Sequence, residues 1–276
     1  MSGRLTHGWR RLKSLRPVPA GAGISVVMPV AYDWRYALES LPHCYGIADE
    51  VLLGLDAGRV SWSGKRYPFN DKAFHAGLRR LDPQGKVRVV EADFHAQASP
   101  RDNDTFERNA LSRLCRPGNW VLQIDSDEWM TNPLEFRDWL RQRRWERAVQ
   151  ASWETVYKVV GRTALIIDGP PVLIQVASSR RGQLVHMRDC ASWPLLSPLK
   201  LLHFAWGRSR SELKRKLENW SHSQDFDTAA ALRRWDGVTL ANHRRQRDLH
   251  PIHPGLWPAL KAVPLSRLRR MDGGRA

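Results

Sequence analysis

Two aspartates separated by one residue, Asp125 and Asp127, follow directly on an apolar run at residues 120–124. If that run is a buried strand, residues two apart lie on the same side of the extended chain, so both carboxylates emerge together at the edge of a sheet. Carboxylate oxygens in such a position bind Mg²⁺ or Mn²⁺ and leave room for substrate phosphates. The pair therefore predicts a site for a divalent cation and a phosphorylated ligand.

Sequence context separates this pair from two similar ones. Asp-x-Asp triplets occur at residues 102–104, 125–127 and 225–227, and about one is expected by chance at this aspartate content. The first lies among loop-forming polar residues, and the third follows a helical segment and precedes a run of alanine. Because only the second closes a strand-like run, it is the one expected to form a site.

Strand-like and helix-like segments alternate through the first half of the chain. β-Branched and apolar runs predict strands at residues 24–30, 50–56, 87–91 and 120–124. Helical spacing of apolar residues predicts helices at residues 34–41, 70–81 and 104–115, with Asn70 and Asp104 as caps of the last two. This alternation favours an α/β fold with a mainly parallel sheet and helices on both faces.

Acidic residues lie where three of these strands end. Asp33 follows the first strand, Asp56 ends the second, and Asp125 and Asp127 follow the fourth. Ligands of parallel sheets bind outside the carboxyl ends of the strands. We therefore expect these side chains to meet at one site.

The second half of the chain has a different pattern. A helix is predicted at residues 133–147 and another at 211–222, and β-like runs occur at residues 149–160, 163–167, 172–177, 183–187 and 199–204. Glycine and proline break these runs, which fits antiparallel additions to the sheet better than further β-α units. The expected organisation is a basic leader (1–20), one domain (21–235, with halves at 21–130 and 131–235) and a basic, Pro-containing tail (236–276).

The net charge of +16 is the strongest global feature of the composition. A positive field attracts nucleic acid, anionic membranes or phosphorylated substrates, but does not choose among them. No apolar run reaches the roughly 20 residues that span a bilayer. In the tail, apolar residues interleave with basic ones, which suggests peripheral contact with an anionic membrane surface. The apolar residues are Trp257, Leu260, Val263, Leu265 and Leu268, and the basic residues are Lys261, Arg267, Arg269 and Arg270.

Four motifs, taken in order, resemble a family 2 glycosyltransferase of the GT-A fold. They are Val-Val-Met-Pro-Val at residues 26–30, Glu-Arg-Asn-Ala at 107–110, Leu-Gln-Ile-Asp-Ser-Asp-Glu at 122–128 and Leu-His-Phe-Ala-Trp at 202–206. The resemblance covers about residues 22–230. It implies a Rossmann-like sheet that binds a nucleotide-diphosphate sugar in its first half and an acceptor in its second.

The chain departs from the family pattern in two places. The Asp-Gly-Ser that often follows the second strand is replaced by Leu-Asp-Ala-Gly at residues 55–58. The Gln/Arg-x-x-Arg-Trp acceptor motif of processive synthases is not evident, which argues against a polymerising enzyme.

The resemblance also implies roles for individual residues. Asp125 and Asp127 would hold the metal that bridges the diphosphate, and Asp125 would also lie beside the donor. His203 resembles a third ligand that some family members supply from a late strand, and an imidazole ligand suits Mn²⁺ better than Mg²⁺.

On the nucleotide side, the same resemblance implicates residues from the first strand, the second strand and the helix that precedes the Asp-x-Asp strand. Asp33 and Asp56 would flank the base and ribose, and Arg108 and Asn109 would meet the nucleotide. Pro29 belongs to the motif of the first strand and is counted with the donor-binding residues.

An inverting transfer also needs a base that takes the proton of the acceptor hydroxyl. The sequence offers Glu154, Asp168 and Asp189, all beyond the Asp-x-Asp strand in the half expected to line the acceptor side. Glu154 ranks first because it lies in an aromatic setting at residues 153–157, where partial burial would raise the pKa of its carboxyl.

The predicted function is therefore metal-dependent, inverting and non-processive sugar transfer on the cytoplasmic side, onto a glycan or lipid-linked acceptor in cell-envelope glycan synthesis. One alternative, a nucleotidyltransferase of similar fold, lacks the Gly-rich loop it needs after the first strand, at residues 31–35. The other, a basic nucleic-acid-binding protein, accounts for the charge but not for the acids at strand ends, and no helix-turn-helix or zinc-finger spacing supports it.

Overall fold

A computed structural model describes residues 17–145, 147–179, 181–190 and 193–270 of the chain. Of the basic leader predicted at residues 1–20, residues 1–16 lie outside this description. The strands are β1 (Ile24–Val30), β2 (Glu50–Asp56), β3 (Val87–Ala92), β4 (Trp120–Gln123), β5 (Glu128–Met130), β6 (Ala148–Val160), β7 (Thr163–Ile167), β8 (Val172–Ser178), β9 (Leu184–His186), β10 (Asp189–Cys190), β11 (Leu195–His203) and β12 (Leu260–Pro264). The helices are α1 (Trp34–Tyr45), α2 (Asp71–Leu81), α3 (Pro100–Leu114), α4 (Pro133–Arg141), α5 (Arg210–Asn219), α6 (Thr228–Asp236) and α7 (Leu265–Arg270).

The main sheet is mixed, with a parallel half and an extended second half. Strands β3, β2, β1 and β4 lie side by side and run parallel. Strand β8 then pairs antiparallel with β4, and β6 pairs antiparallel with β8. The long β6 also pairs with β11 in parallel and with β7 antiparallel, while β5 lies antiparallel to β11. The chain is thus a mixed α/β protein whose antiparallel additions come from the second half.

Helices cover both faces of the parallel half. Every residue of β1 is buried, as expected for a central parallel strand, which reads as a continuous apolar run. Side chains of α1, α2 and α4 share one core with alternate β1 residues, including Val26 and Met28. On the opposite face, Leu111 of α3 packs with Val27 and Leu52. The alternation of strands and helices in the sequence therefore gives the predicted arrangement, a parallel sheet with helices on both faces.

Helix α3 begins earlier than the sequence analysis predicted. Ser99 is its N-cap and accepts from the amide of Asp102, and Pro100 occupies the first turn. Proline suits this position because the first helical N–H has no partner within the helix. Asp104, predicted as the cap, lies one turn inside and is buried. The triplet at residues 102–104 is therefore helical and not a loop.

The segment beyond residue 236 contributes to the fold. Strand β12 pairs antiparallel with β7 along its whole length. The apolar side chains of Trp257, Leu260, Val263 and Leu268 are buried against the protein, and that of Leu265 is half-buried. Contact of this segment with a membrane surface stays a prediction. No helix within the described residues has both the length and the apolar character to cross a membrane.

Candidate active-site cleft

A cleft of about 1010 Å³, counting space open to solvent, lies at the carboxyl ends of β1, β2 and β4. Asp33, Asp56, Asp125 and Asp127 all line it, together with Pro29. The carboxyl ends of parallel neighbours meet at one edge of a sheet, and here that geometry brings together acids separated by as many as 94 positions in sequence, the difference between residues 33 and 127.

Asp125 is held by two arginines. Its Oδ1 accepts from Nη2 of Arg108 at 2.6 Å, and its Oδ2 forms an ion pair with Nη2 of Arg188. Burial alone would raise the pKa of Asp125, but the two guanidinium groups outweigh that effect and hold the pKa below its ordinary value. Both oxygens of this carboxylate are thus committed to protein cations.

Asp127 is held by a different set of basic groups. Its Oδ2 lies 2.5 Å from Nη2 of Arg208 and 2.5 Å from Nζ of Lys216, and 3.6 Å from Nε2 of His203. Burial again acts to raise the pKa of the carboxyl, and Lys216 and Arg208 reverse the shift so that the pKa lies well below the usual range. Asp127 is therefore ionised throughout the neutral range.

Glu128, the third acid of the run, is fully buried and positions Arg188. Its carboxylate accepts two hydrogen bonds from Arg188, at 2.8 and 3.1 Å, one from the indole of Trp153 at 2.7 Å and one from the amide of Asp125 at 2.9 Å. Four donors fill the acceptor capacity of a carboxylate. Glu128 thus fixes the guanidinium that binds Asp125.

His203 lies beside Asp127 as a neutral imidazole. Its ring stacks on Trp153, with the two centroids 4.4 Å apart, and its Nδ1 has no hydrogen-bond partner among the described residues. Burial lowers the pKa of His203 to about 4, although Asp127 acts in the opposite direction. An unprotonated imidazole is the form that binds a metal.

The ligand atoms of the three predicted metal ligands, Asp125, Asp127 and His203, do not all lie close to one another. Within the described residues, trios of ligand atoms within 4.8 Å of one another occur at Asp56–Asp93–His95 and at Asp71–His75–Glu91, and not at Asp125, Asp127 and His203. Asp127 and His203 lie close enough to share a cation, whereas Asp125 faces its arginines. Of the three predicted ligands, Asp127 and His203 are therefore the pair near enough to share a cation, and the Asp127 oxygen that faces His203 also pairs with Arg208 and Lys216.

Asp56 lines the cleft, but its carboxylate is occupied by its own loop. It accepts from the amides of Gly58, Val60 and Phe94 and from Nδ1 of His95 at distances of 2.8 to 3.0 Å. Burial would raise its pKa, but the hydrogen bonds, led by that of His95, leave it below the ordinary value. The carboxylate organises the loop after β2, and the fourfold occupation leaves it little capacity for a ribose.

The Glu107–Asn109 segment of α3 divides between the cleft and the protein interior. Arg108 lines the cleft and also donates to Asp104 at 2.5 Å, while its Nη1 lacks a hydrogen-bond partner among the described residues. Asn109 is not among the cleft residues, and it bonds both backbone groups of Leu184 at 2.9 Å. Asn109 thus ties β9 to α3, and Arg108 is the cleft residue of the pair.

The three predicted base candidates lie outside the lining of the cleft. Trp153 of β6 lines the cleft, and adjacent strand residues point to opposite faces, so Glu154 faces away and lies 4.0 Å from Lys261. Asp168 lies 3.7 Å from the same lysine, with 56% of its side chain exposed. Asp189 is exposed in the short β10. Their positions give no support to a role as base.

Glu107 is a buried carboxyl in the wall of the cleft. Gly54 of β2 makes room for it, since a Cβ atom at Gly54 would lie 2.6 Å from Leu111 Cδ1 and closer still to Glu107 Oε1. The indole of Trp62 donates to Oε2 of Glu107 at 2.6 Å. Burial raises the pKa of Glu107 to about 8, so this carboxyl carries a proton at neutral pH.

A loop at residues 57–67, here called the cover loop, closes one side of the cleft. Ser61 donates to Oδ1 of Asn219 at 2.8 Å, and Ser63 donates to the carbonyl of Glu218 at 3.0 Å. The carbonyl of Trp62 accepts from Asn103 at 2.8 Å. These contacts attach the loop to the end of α5 and to α3 at once, with the ring of Trp62 beneath the guanidinium of Arg108.

Several residues to which the sequence analysis gave no role in the site line the cleft or contact Asp127 within it: Asp104, Glu107, Arg188, Arg208, Lys216, Trp62 and Trp220. Of these residues, Arg208 has the clearest indication in the local sequence of a role in the site, because it follows the 202–206 motif after one glycine. A Cβ atom at that glycine, Gly207, would lie 2.5 Å from Val156 Cγ1, so close packing fixes the backbone that delivers Arg208. Lys216 and Arg188 gave no signal, since nothing in their local sequence indicates a distant carboxylate.

Carboxyl groups outnumber cations around the cleft. Six line it (Asp33, Asp56, Asp104, Glu107, Asp125 and Asp127), against three permanently basic side chains (Arg108, Arg188 and Lys216). Counting Arg208, which contacts Asp127, and treating Glu107 as protonated leaves five carboxylates and four cations. A negatively charged ligand would thus gain from entering with a cation.

No protein-family model matches the chain, and no curated protein is similar enough to indicate common origin.

Proposed function

We propose that the chain is a glycosyltransferase that moves a sugar from a nucleotide-diphosphate donor to an acceptor hydroxyl, on a GT-A type of fold. The observation that carries this proposal is the position of Asp125 and Asp127, which lie at the carboxyl edge of a parallel sheet inside a cleft with buried basic side chains. That combination suits a diphosphate and its counter-ion better than an uncharged substrate.

Arg108 is the group best placed to bind the diphosphate. Its guanidinium is buried and ion-paired on one side, while Nη1 lacks a partner among the described residues. A buried donor without an acceptor costs free energy, and an anionic oxygen would remove that cost with a charge-assisted hydrogen bond. A phosphate oxygen near Nη1 would satisfy the group without breaking either ion pair.

A divalent cation would be held by Asp127 and His203. A carboxylate oxygen and a neutral imidazole nitrogen 3.6 Å apart form a donor set that suits Mn²⁺. When bound, such a cation would neutralise charge on the leaving diphosphate. Asp125 contributes indirectly, because it orients Arg108 and Arg188 around the same space.

Aromatic side chains supply the apolar part of the cleft. Tyr32, Trp62, Tyr67, Trp153 and Trp220 line it alongside the charged groups. Pockets for small molecules combine apolar walls with a few placed polar groups, and flat rings of this kind can stack on a nucleobase or on the apolar face of a sugar.

The cover loop would protect the donor from water. Its attachments to Asn219 and Glu218 close the cleft from the side of α5. Exclusion of water limits hydrolysis of a reactive donor and strengthens the electrostatic contacts around it.

Calorimetric titration tests the proposal directly. UDP, GDP, CDP, ADP and dTDP are titrated separately into the purified chain, with Mn²⁺ or with EDTA. At least one nucleotide is expected to bind, at least tenfold more tightly with Mn²⁺. Release of that nucleotide from its sugar conjugates is then followed by mass spectrometry. If none of the five binds while duplex DNA binds tightly, the proposal is wrong and the basic charge serves nucleic acid.

A further inference from the structure

A second cavity adjoins the cleft. It measures about 880 Å³, counting space open to solvent, and lies between the start of α1, residues 68–70 and the first turns of α5. The residues proposed to bind the diphosphate and its cation, Arg108, Asp127 and His203, are not part of its lining. Tyr32 and Asp33 line both cavities, so a molecule in the second cavity would lie across a shared wall from the donor.

Aromatic rings form much of the lining of this second cavity. They are Tyr32, Trp34, Tyr36 and Phe69. Trp34 and Phe69 lie with ring centroids 6.1 Å apart, and the guanidinium of Arg208 covers the ring of Tyr36 at 4.4 Å. Partly exposed rings in a concave site favour ligands that have a flat apolar face.

Hydrogen-bonding groups are interleaved with these rings. Arg35, Asn70 and Arg215 line the cavity with Asp33 and Glu212. Amide, carboxylate and guanidinium groups offer both donors and acceptors, which is the complement of a ring of hydroxyls. Rings that stack on C–H faces and polar groups that bind hydroxyls together indicate a carbohydrate.

Asp33 is the least engaged carboxylate at the junction of the cavities. Among the described residues, its carboxylate pairs with Arg208 at 3.2 Å. By contrast, Asp56 accepts four hydrogen bonds, and Asp125 and Asp127 each pair with two strong cations. A base must be able to accept a proton from a hydroxyl within hydrogen-bond reach, and Asp33 keeps that capacity.

We propose that the second cavity binds the acceptor carbohydrate and that Asp33 takes the proton of its reacting hydroxyl. The inference rests on the proposed donor function. The acceptor oxygen forms a bond to the anomeric carbon as the bond from that carbon to the diphosphate oxygen breaks. The electron pair leaves with the diphosphate, and the hydroxyl proton passes to the carboxylate of Asp33.

Binding of p-nitrophenyl glycosides tests the cavity. β-Glucoside, β-galactoside, α-mannoside and N-acetyl-β-glucosaminide are examined by saturation-transfer NMR in the presence of the nucleotide panel and Mn²⁺. At least one glycoside is expected to bind, with at least fivefold loss in Trp34→Ala and in Arg215→Met. Trp193→Ala, at an indole 74% exposed and absent from both cavity linings, is the matched control and should bind normally.

Arg215→Met is included as a second variant because Trp34 also contacts the core residue Phe74, whereas Arg215 of α5 is half-buried and is not part of the core. The proposal is overturned if no glycoside binds at millimolar concentration, if both cavity variants bind like wild type, or if nucleotides displace the glycoside. Nucleotide binding by the same samples reports on the donor site separately, so its failure would contradict the proposed function and not this cavity alone.

Asp33→Asn tests the role of the carboxylate. The amide keeps an acceptor for Arg208 but cannot take a proton. Sugar transfer from the nucleotide sugars to the bound glycoside should fall about 100-fold or more in kcat, which is a much larger change than any change in nucleotide affinity, although Asp33 also lines the donor cleft. A residue that only positioned Arg208 would lose donor affinity as well. Transfer at the wild-type rate, or parallel loss of donor binding, would overturn the assignment.

Discussion

The ammonium group of Lys216 lies 2.5 Å from Oδ2 of Asp127, although 89 residues separate the two in the chain. This contact joins α5, in the second half, to the turn between β4 and β5, in the first. Arg208 and His203 reach the same carboxylate from the same part of the chain. The centre of the candidate site is therefore assembled across both halves of the fold.

Replacement of Lys216 by Met should destabilise the protein. Removing one partner of a buried ion pair typically costs about 3–5 kcal/mol, and because Arg208 stays on Asp127 we expect about 2 kcal/mol. Lys214→Met is the matched control, because Lys214 is 60% exposed and 4.0 Å from Glu218 on the same helix; it should cost less than about 0.5 kcal/mol. Urea unfolding measures both, and equal costs would mean that the buried contact is not formed in solution.

Glu107→Gln should alter how stability depends on pH. The folded carboxyl has a pKa of about 8 against an ordinary 4.5, so between those values the folded state binds a proton that the unfolded chain has released. Wild-type stability should therefore fall as pH rises through this window, by up to about 1.4 kcal/mol per pH unit from this group alone.

Glutamine cannot ionise, so the variant loses that slope and gains stability relative to wild type as pH rises from about 5 to about 8. Urea unfolding at the two pH values gives the difference. Glu135→Gln, at an exposed carboxyl, serves as the control and should follow wild type. A constant difference between Glu107→Gln and wild type across the window would show that Glu107 is ionised in the fold.

The parallel half of the fold follows from local sequence. Fully buried strands such as β1 read as apolar runs, and the acids that follow them converge because parallel strands share one edge. Asn70 caps α2 through the amide of Ala73, as its side chain predicts. Helix α3 begins with a serine cap and a proline in its first turn, Ser99 and Pro100, which is a stronger start signal than Asp104.

The second half depends on register and on distant contacts. Glu154 does not line the cleft because it is adjacent to Trp153, which does, and adjacent residues of a strand point to opposite faces of the sheet. The pairing of β12 with β7 joins segments about 100 residues apart, so local composition suggested only a basic tail. The roles of Arg188 and Lys216 are likewise not predictable from local sequence, since their carboxylate partners lie elsewhere in the chain.

Gly54→Ala should displace α3. The added methyl would lie 2.6 Å from Leu111 Cδ1, and overpacking of this kind costs about 1–3 kcal/mol. Since Arg108 is carried by the same helix, nucleotide affinity should fall together with the melting temperature. Gly46→Ala is the control, because a Cβ atom there has nothing within 4 Å. Unchanged stability and affinity in Gly54→Ala would contradict the close approach of α3 to β2.

The most direct test compares nucleotide binding by Asp127→Asn, Asp125→Asn and Asp225→Asn, each titrated calorimetrically with the nucleoside diphosphate panel with Mn²⁺ and with EDTA. Asp225 belongs to another Asp-x-Asp triplet and does not itself line the cleft, since it pairs with Arg101 and with the cleft residue His222. Its asparagine variant keeps an acceptor for both partners, so it controls for loss of an aspartate. We predict that Asp127→Asn abolishes the Mn²⁺ enhancement, that Asp125→Asn weakens binding in both conditions but keeps the enhancement, and that Asp225→Asn behaves as wild type. Wild-type binding by folded Asp127→Asn, with the Mn²⁺ enhancement intact, would contradict the account.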